Sequence, residues 1–392
     1  MTDEPIVRIA ARGDGVTPRG RHVPFGVPGD TVLDNGALAH GPHHQEPVCR
    51  HFPECGGCQL QHADDQAYRD YLVSRIETAL AQHGLTTEIR PPHLSPPNSR
   101  RRSTLKALRT ASDAVIGFNA EMSHRIVDMR ECHILRPELF ALVEPMRQLL
   151  AGMLVPKRIA EIQLTLIDGG VDVMIKGMPA GRLSEIEQLT SFAIDQGLAR
   201  LSVDRGLGPE PLYEPQPAAV ILSGVPVAFP PGAFLQATED GEAALVGAAQ
   251  EAIAGATSVA DLFAGLGTFA LATHAAYAAE ASRDSAAALK RAAPGIEVEH
   301  RDLYRRPLDA SELKRFDGLI LDPPRAGAEA QVANLARSAV GRIAYVSCNP
   351  ATFARDARTL IDGGYSLDWI CPVGQFRWST HVELAACFTR DG

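Results

Sequence analysis

Residues 258–269, Ser-Val-Ala-Asp-Leu-Phe-Ala-Gly-Leu-Gly-Thr-Phe, decide the fold of this chain. The first six residues predict a short buried strand, and the glycines after them predict a tight turn into a helix. Asp261 lies in the strand, while Gly265 and Gly267 form the turn. Glycine lets the backbone of such a turn approach a ligand, because no Cβ stands in the way. Glycine pairs also occur in loops that bind nothing, so this stretch alone leaves the ligand open.

The same strand–turn–helix rhythm continues towards the end of the chain. After about residue 240, short apolar strands alternate with alanine-rich helical stretches, which is typical of βαβ units in a parallel sheet. Earlier, residues 103–128 (with a turn near Ser112) and 160–176 alternate like antiparallel strand pairs. We therefore predict an α/β protein of three parts, which are a small β segment over 1–48, an α+β central domain over 49–215, and a doubly wound domain over 216–392.

Composition is that of a soluble globular protein. The 392 residues are 45% hydrophobic and 22% charged, and no apolar run is long enough to span a bilayer. The first residues lack the basic start and apolar core of a signal peptide, so we expect a cytoplasmic protein with no membrane partner. A net charge of -9 argues against broad binding of polyanions. Residues 90–136 have the opposite charge balance, with nine basic and four acidic residues.

Two acidic residues follow the next strands of the predicted sheet. Glu280 lies 19 residues after Asp261, where an acid hydrogen-bonds ribose hydroxyls in doubly wound folds. Asp302 follows the third strand, where an adenine amino group would need an acceptor, although it could equally be a surface aspartate. The third glycine of the dinucleotide-binding pattern is missing. That departure indicates an adenosyl ligand without a pyrophosphate.

Stiff turns end the fourth and fifth strands. Asp322 is followed by two prolines and Arg325, and Cys348 lies between Ser347 and Asn349-Pro350. Ligands bind at this carboxyl edge of a parallel sheet, so the Cys348 thiol is expected to face the cleft, the alternative being a buried structural cysteine. Glu383 has apolar neighbours that would raise its pKa and suit it to proton transfer. An ordinary strand salt bridge is the other interpretation of Glu383.

Four motifs in order resemble one enzyme family. They are DLFAGLGTFAL (261–271), LDPPRAG (321–327), VSCNPATFARD (346–356) and STHVELA (379–385), and they resemble the RNA 5-methyluridine methyltransferases that use S-adenosylmethionine. The resemblance covers about residues 49–392 and includes Phe234-Leu235-Gln236, which is similar to the family's Phe-x-Gln-x-Asn. Thr238 stands where the family usually has Asn, and Leu266 replaces a smaller or polar residue. The resemblance implies a Rossmann-like class I methyltransferase domain.

The resemblance also implies the roles of individual residues. Cys348 would be the nucleophile that adds to uracil C6, Glu383 the base that removes the C5 proton, and Asp322 a further catalytic residue that holds the target base. The residues expected to bind S-adenosylmethionine are Gln236, Asp261, Gly265, Gly267, Glu280, Asp302 and Asp322. The nucleotide must be single-stranded or flipped out to admit a nucleophile at C6.

Four cysteines early in the chain form a set of soft ligands. Cys49, Cys55, Cys58 and Cys132 are compatible with structural zinc, whereas disulfides are unexpected in a reducing cytoplasm. Cys-Gly-Gly-Cys-x-x-Gln resembles the [4Fe-4S] site of the ribosomal-RNA members of the family, so the resemblance implies that cluster, with zinc as the alternative. Since transfer-RNA members generally lack it, 23S ribosomal RNA is the expected partner.

The RNA contact is expected in the basic window. Phosphate contacts are predicted for Arg100, Arg101, Arg102, Lys106 and Arg109, the alternative being a solvated basic face. Residues 6–32 resemble the first half of a TRAM β-barrel. The second half is expected to be missing, because residues 40–47 occupy the place of its further strands. We expect a monomer. The alternatives to 23S uridine methylation are a tRNA uridine-C5 or RNA cytosine-C5 methyltransferase, or a non-catalytic iron–sulfur RNA-binding assembly factor.

Overall fold

The N-terminal part is built from very short strands. The computed structural model describes residues 3–111 and 113–390, so Ser112 in the predicted hairpin turn lies outside the described residues. The strands form two three-stranded antiparallel sheets, ordered β1-β5-β6 and β2-β3-β4. They are β1 (Glu4–Pro5), β2 (Arg8–Ile9), β3 (Gly15–Val16), β4 (His22–Val23), β5 (Thr31–Val32) and β6 (Leu38–Ala39). Residues 40–47 form a turn and one isolated bridge, between His44 and Ala63.

A helix and two short strands follow the cysteine-rich loop, which carries Cys49, Cys55 and Cys58. They are α1 (Asp65–Ala81), β7 (Glu88–Ile89) and β8 (His93–Leu94). Helix α1 is capped by Asp64, whose side chain accepts a hydrogen bond from the Ala67 amide at 2.8 Å. Such a cap satisfies an amide that the first turn of a helix leaves unpaired.

The central domain is one six-stranded sheet with helices packed against it. The strands are β9 (Arg102–Arg109), β10 (Ala114–Gly117), β11 (Ile159–Ile167), β12 (Gly170–Lys176), β13 (Arg200–Asp204) and β14 (Pro209–Tyr213), in the order β10-β9-β11-β12-β13-β14. The helices are α2 (Pro137–Ala141), α3 (Val143–Met153) and α4 (Leu183–Asp195). Strands β11 and β12 pair antiparallel, with Ile167 opposite Gly170. The hairpin predicted over residues 160–176 is confirmed.

The C-terminal part is a doubly wound α/β domain. A two-stranded hairpin leads into it, and helices alternate with strands thereafter. The elements are β15 (Ala219–Leu222), β16 (Val225–Ala228), α5 (Glu239–Ala252), β17 (Val259–Leu262), α6 (Thr268–Ala272), β18 (Tyr277–Glu280), α7 (Arg283–Ala292), β19 (Glu297–His300), α8 (Ala310–Leu313), β20 (Gly318–Leu321), α9 (Glu329–Leu335), β21 (Arg342–Ser347), α10 (Pro350–Asp362), β22 (Ser366–Gly374) and β23 (Glu383–Thr389).

The strand order of this domain positions the functional residues. The path is β19-β18-β17-β20-β21-β23-β22-β7, with β8 also paired to β22. Strands β17 to β21 are parallel, and β23 lies antiparallel between β21 and β22. The order reverses direction between β17 and β20, so the crevice for a ligand opens above the carboxyl ends of these two strands. The predicted Rossmann-like sheet is confirmed.

Residues 65–94 join this sheet, although the predicted boundaries place them in the central domain. Strands β7 and β8 extend the sheet at its β22 edge, and α1 packs on α10. The physical reason is burial, because Tyr68, Leu72 and Ile76 of α1 share a core with the sheet. Among the described residues, no helix is both long and apolar enough to cross a membrane.

Candidate active site

Three reactive side chains meet at the carboxyl edge of neighbouring strands. Asp322 follows β20, Cys348 follows β21, and Glu383 opens β23. Strands β21 and β23 pair antiparallel with Ser347 opposite Leu384. Cys348 and Glu383 each lie one residue beyond this pair, and Glu383 raises the pKa of the Cys348 thiol, so the two groups are close. Residues far apart in the sequence are therefore neighbours because β23 inserts between β21 and β22.

Burial makes the site unfavourable for negative charge. Burial raises the pKa of Glu383 to about 8, with Asp322 adding to the rise, and burial raises the pKa of Asp322 to about 7. Burial, Glu383 and Asp322 raise the pKa of the Cys348 thiol to about 11, against an opposing effect of Arg325. At neutral pH these values favour the protonated forms of Cys348 and Glu383, whereas Asp322 is close to its midpoint.

Two features next to Cys348 favour its thiolate. Arg325 supplies a positive charge, as its effect on the thiol pKa shows. Helix α10 begins directly after the cysteine, capped by the Asn349 side chain, which accepts from the Ala351 amide at 3.1 Å. The N-terminus of a helix carries partial positive charge and stabilises a nearby thiolate.

The proline loop is tied to the same helix. The Asn349 side-chain amide donates to the Arg325 carbonyl at 3.0 Å, and the Thr352 hydroxyl donates to the same oxygen at 3.1 Å. The Arg355 guanidinium donates to the Ala326 carbonyl at 3.0 Å. These bonds fix Asp322 and Arg325 relative to Cys348.

A hydrogen-bonded chain of side chains joins Asp322 to Glu383. Gln236 Nε2 lies 3.4 Å from Asp322 Oδ2, and Gln375 Nε2 donates to Gln236 Oε1 at 2.9 Å. The same Gln375 amide donates to Glu383 Oε2. Gln236 and Gln375 are 3% and 2% exposed, so water does not compete for these bonds.

The two glycines of the turn do different things. Both have left-handed backbone conformations, with φ of 56° at Gly265 and 93° at Gly267. A Cβ on Gly265 would meet no atom within 4 Å, whereas a Cβ on Gly267 would overlap Leu289 of α7. Gly265 therefore faces open space where a ligand fits, and Gly267 lets α7 pack closely.

Glu280 and Asp261 hold the turn from below. Glu280 Oε2 accepts from the Gly265 amide at 2.8 Å and its Oε1 from the Ser282 amide at 2.5 Å. Asp261 Oδ2 accepts from the Ala270 amide at 2.8 Å. Its Oδ1 is buried without a partner, and burial raises the pKa of Asp261 well above its ordinary value. An unpartnered buried oxygen indicates that a donor is missing from this site.

Asp302 is half-exposed at the edge of the same crevice. Its Oδ1 accepts from the Tyr304 amide at 3.0 Å and the Arg305 amide at 3.3 Å, so it caps a turn. That turn holds the Tyr304 ring against Phe263 of the glycine turn, with ring centroids 5.6 Å apart. Its Oδ2 lies 3.4 Å from the Arg305 guanidinium, so a ligand at this position would share that oxygen with Arg305.

The four early cysteines line one small cavity. Cys49, Cys55, Cys58 and Cys132 surround a space of about 20 Å³, and all four are free thiols. Burial raises the pKa of Cys55 to about 11 and of Cys58 to about 12. In the described part of the chain, no group of three or more His, Cys, Asp or Glu side chains is arranged to hold a single metal ion.

The cysteine loop is attached to the segment that precedes Glu383. The amides of Gln59 and Leu60 both donate to the Trp378 carbonyl, at 2.8 and 2.9 Å. The Tyr68 hydroxyl donates to the Phe376 carbonyl at 3.0 Å, and the Tyr71 hydroxyl to the Thr380 carbonyl at 3.2 Å. The cysteine-rich loop and α1 thus hold one side of the active site.

The predicted basic residues separate into two groups. Arg101 was expected to contact phosphate, but its side chain is 7% exposed and pairs with Glu242 at 2.7 Å. It also donates to the Gln236 carbonyl at 3.2 Å, so it is a structural support of Gln236 and the RNA-binding prediction for it is wrong. Lys106 pairs with Glu161 on the sheet, and Arg109 Nη1 reaches the Leu154 carbonyl at 3.4 Å.

Arg100 and Arg102 line a cleft of about 320 Å³ beside the active site. Its other lining residues include Phe118, Phe234, Gln236, Gln375 and Phe376. The Arg100 guanidinium lies 5.1 Å from the Phe376 ring centroid, and that of Arg102 lies 4.7 Å from the Phe234 centroid. Burial lowers the pKa of both arginines, and for Arg102 no charge offsets the effect of burial. This cleft presents cations and aromatic faces together.

Sequence reasoning missed two residues that shape the site. Gln375 was not singled out, although a polar residue directly after the strand Ser366–Gly374 was a usable signal. Ser95 was also missed; its hydroxyl pairs with that of Thr238 at 2.8 Å. Thr238 caps α5 by accepting from the Gly241 amide at 3.1 Å. Threonine in the family's asparagine position therefore keeps a helix cap.

Comparisons with known proteins agree with this arrangement. The family described as tRNA (uracil-5-)-methyltransferase matches residues 277–391. An uncharacterised RNA methyltransferase of Zymomonas mobilis is 49% identical, covering 98% of this chain and 99% of its own length. The 23S rRNA (uracil(1939)-C(5))-methyltransferase of Pectobacterium carotovorum is 29% identical, covering 90% of this chain and 82% of its own.

A solved structure shares the whole fold. The Pyrococcus abyssi tRNA (uracil-54, C5)-methyltransferase, crystallised with S-adenosyl-L-homocysteine, superposes with a TM-score of 0.75 at 24% identity and covers 99% of both chains. At that identity the likeness concerns the fold.

Proposed function

The chain belongs to the family of S-adenosylmethionine-dependent RNA uracil-C5 methyltransferases, and from that premise we propose that it methylates C5 of a specific uridine in 23S ribosomal RNA. The observation that carries the mechanism is that Cys348 directly follows β21 while Glu383 opens the neighbouring strand β23, close enough to act on the pKa of the Cys348 thiol. A nucleophile and a proton acceptor at the ends of neighbouring strands can act on the two adjacent carbons of one uracil ring.

Cys348 begins the reaction. Uracil C5 is a poor nucleophile, but addition of the Cys348 thiolate to C6 moves electrons onto O4 and makes C5 an enolate carbon. Arg325 and the start of α10 favour the thiolate. C5 would then take the methyl group from the sulfonium of bound S-adenosylmethionine, and S-adenosylhomocysteine would be the leaving group.

Glu383 completes the reaction. Once C5 carries the methyl group, it still holds its original proton, and the adduct cannot collapse until a base removes it. Glu383 takes that proton, the C5–C6 double bond re-forms, and the thiolate of Cys348 leaves. A carboxyl with a pKa raised to about 8 is a stronger base than an ordinary glutamate once it is ionised.

The crevice above β17 and β18 fits S-adenosylmethionine. Glu280 would bind the ribose, Gly265 leaves room for the ligand, and the unpartnered Asp261 oxygen calls for a donor. Gln236, Asp302 and Asp322 complete the proposed binding residues, with Gly267 supporting the turn. When bound, S-adenosylmethionine supplies an electrophilic methyl group.

RNA would enter along the cleft of Arg100 and Arg102. Aromatic faces stack on unpaired bases, and guanidinium groups bind phosphates. The cleft opens beside Gln236 and Gln375, so a flipped uridine would reach Cys348 while its neighbours stay in the cleft. Lys106 and Arg109 would contact RNA phosphates outside this cleft.

Cys49, Cys55, Cys58 and Cys132 would hold a [4Fe-4S] cluster. Four thiols that converge on one cavity match the ligand set of such clusters. One structural zinc ion on the same four thiols is the alternative. The test is iron, zinc and sulfide analysis of protein purified without oxygen, with the single variants Cys58→Ser and Cys132→Ser. Four irons with sulfide in the native protein and a loss in both variants support the cluster, and one zinc without sulfide contradicts it.

The substrate is tested by mapping 5-methyluridine in ribosomal and transfer RNA from a deletion strain and from its complemented strain. Nucleoside mass spectrometry should show one 5-methyluridine lost from 23S RNA and restored by the gene. Loss from tRNA alone would favour the tRNA alternative, and 5-methylcytosine would favour cytosine methylation.

Purified protein separates the enzyme from an assembly factor. Cys348→Ala should bind S-adenosylhomocysteine in calorimetry yet form neither 5-methyluridine nor a covalent RNA adduct. A Cys348→Ala variant that still methylates C5 would refute the mechanism. Native protein that binds no S-adenosylhomocysteine would point to the assembly factor.

A further inference from the structure

Gln375 occupies the junction between the proposed base and the proposed cofactor glutamine. It lies directly after β22, where Val373 pairs with Glu383 across to β23. All the hydrogen-bonding groups of its carboxamide are engaged. Nε2 donates to Glu383 Oε2 and to Gln236 Oε1, and Oε1 accepts from the Ala237 amide at 2.9 Å.

The orientation of this carboxamide is set by its partners. A flipped amide would place Oε1 against two acceptor oxygens, those of Glu383 and Gln236, and would turn Nε2 towards the Ala237 N–H. The side chain is 2% exposed, so water cannot rescue the flipped form. One orientation remains.

The neighbouring helix makes room for this side chain. Gly241 lies in the first turn of α5, and a Cβ there would come within 2.8 Å of Gln375 Cβ and 2.6 Å of Thr238 Oγ1. Glycine inside a helix costs stability relative to alanine. Glycine at position 241 leaves the space that the side chains of Gln375 and Thr238 occupy.

We infer that Gln375 is a positioning residue for both Glu383 and Gln236. It holds Oε2 of Glu383, so that Oε1 of Glu383 faces the C5 proton. It also holds Oε1 of Gln236, so that the amide nitrogen of Gln236 faces Asp322. The inference rests on the proposed function, in which Glu383 is the base. It adds a residue that the family motifs in the sequence did not point to, and it explains how the base and the cofactor side of the site are aligned.

The charged groups around Glu383 make this role measurable. Asp322 faces it from the β20 side and Cys348 from the β21 side, Arg325 acts on Cys348, and His381 precedes it by two residues. Burial and Asp322 raise the pKa of Glu383, and the hydrogen bond from Gln375 lowers it. Removing that hydrogen bond makes the carboxylate harder to form, so the enzyme needs a higher pH to ionise its base.

The experiment compares the native enzyme with Gln375→Met, which has similar volume and no amide. We expect the acidic limb of the kcat profile to move to higher pH by about one unit, since a hydrogen bond to a charged group is among the stronger ones. Proton removal should become slower than methyl transfer, so denaturant-stable enzyme–RNA adduct should accumulate several-fold. S-adenosylhomocysteine binding reports separately on Gln236.

The matched control is Gln331→Met. Gln331 is 1% exposed in the same domain, and its amide bonds only to the Leu308 backbone, at 2.8 and 3.1 Å. Its variant should keep the native pH profile even if it is less stable. Should Gln375→Met fail to fold by circular dichroism, Gln375→Glu keeps the shape, lacks the amide donors, and should shift the limb further.

The outcomes separate the two hypotheses. A native enzyme that makes 5-methyluridine, with a Gln375→Met profile that coincides with it and no adduct accumulation, overturns the role of Gln375 alone. A native enzyme that makes no 5-methyluridine overturns the proposed function, and this inference with it. A shifted limb with accumulated adduct, absent from Gln331→Met, supports the inference.

Discussion

Substituting alanine for each glycine of the 264–267 turn should separate binding from folding. Gly265 and Gly267 were both predicted to contact the cofactor, yet only Gly265 faces open space. Alanine at either position adopts a left-handed conformation, which costs about 1–2 kcal/mol. At Gly267 the added methyl also overlaps Leu289, and overpacking of this kind costs a further ~1–3 kcal/mol.

These terms predict different phenotypes for the two variants. Gly267→Ala should lose about 2–5 kcal/mol of unfolding free energy, the sum of the two costs. Gly265→Ala should lose about 1–2 kcal/mol, but its Cβ points into the ligand space and should weaken S-adenosylhomocysteine binding at least about tenfold, or roughly 1.4 kcal/mol.

Urea titration followed by circular dichroism measures the first effect, and calorimetry at a urea-free, folded condition measures the second. A shift in midpoint without a change in slope indicates altered stability of the same fold. The reasoning fails if Gly265→Ala is as destabilised as Gly267→Ala while it binds S-adenosylhomocysteine like the native protein. Equal stability of Gly267→Ala and the native protein would also refute it.

Two further predictions concern buried charge. Burial raises the pKa of Glu383 in the folded protein from 4.5 to about 8. The contribution of Glu383 to the free energy of unfolding is therefore fully present below pH 4.5 and is lost as the pH rises through 8. Urea titrations should show the native protein losing stability relative to Glu383→Gln between pH 5 and 8, and parallel curves would contradict this. Arg101→Met removes the close partner of Glu242, whose side chain is 16% exposed, and should cost about 3 kcal/mol of unfolding free energy. Arg109→Met, at a half-buried position with one long hydrogen bond, should cost under about 1 kcal/mol. Equal losses in the same titration would refute the structural role of Arg101.

Local patterns in the chain were enough to predict the type of fold and most of the reactive residues. The strand-to-glycine turn, the proline-stiffened ends of two strands and the alternation after residue 240 are short-range signals, because a strand, a turn and a helix each depend on a few adjacent residues. They indicated the doubly wound sheet, and the motifs singled out Cys348, Asp322 and Glu383. The convergence of the four cysteines on one cavity also agrees with their spacing.

Long-range packing decided the rest. Helix α1 and strands β7 and β8 extend the C-terminal sheet because their apolar faces are buried there, although nothing in their local pattern names that partner. In the sequence, Arg101 is one of several basic residues in the window 90–136 and has no feature that distinguishes it from the others. Only the fold places Glu242 next to it.

The same distinction applies to the active site itself. The sequence by itself determined which groups could do the chemistry, since residue type and strand-end position carry that information. Only the tertiary structure decided how they meet. Because β23 runs antiparallel between β21 and β22, Glu383 comes close to both Cys348 and Gln375. Strand order in a sheet depends on contacts between distant segments, which no local pattern records.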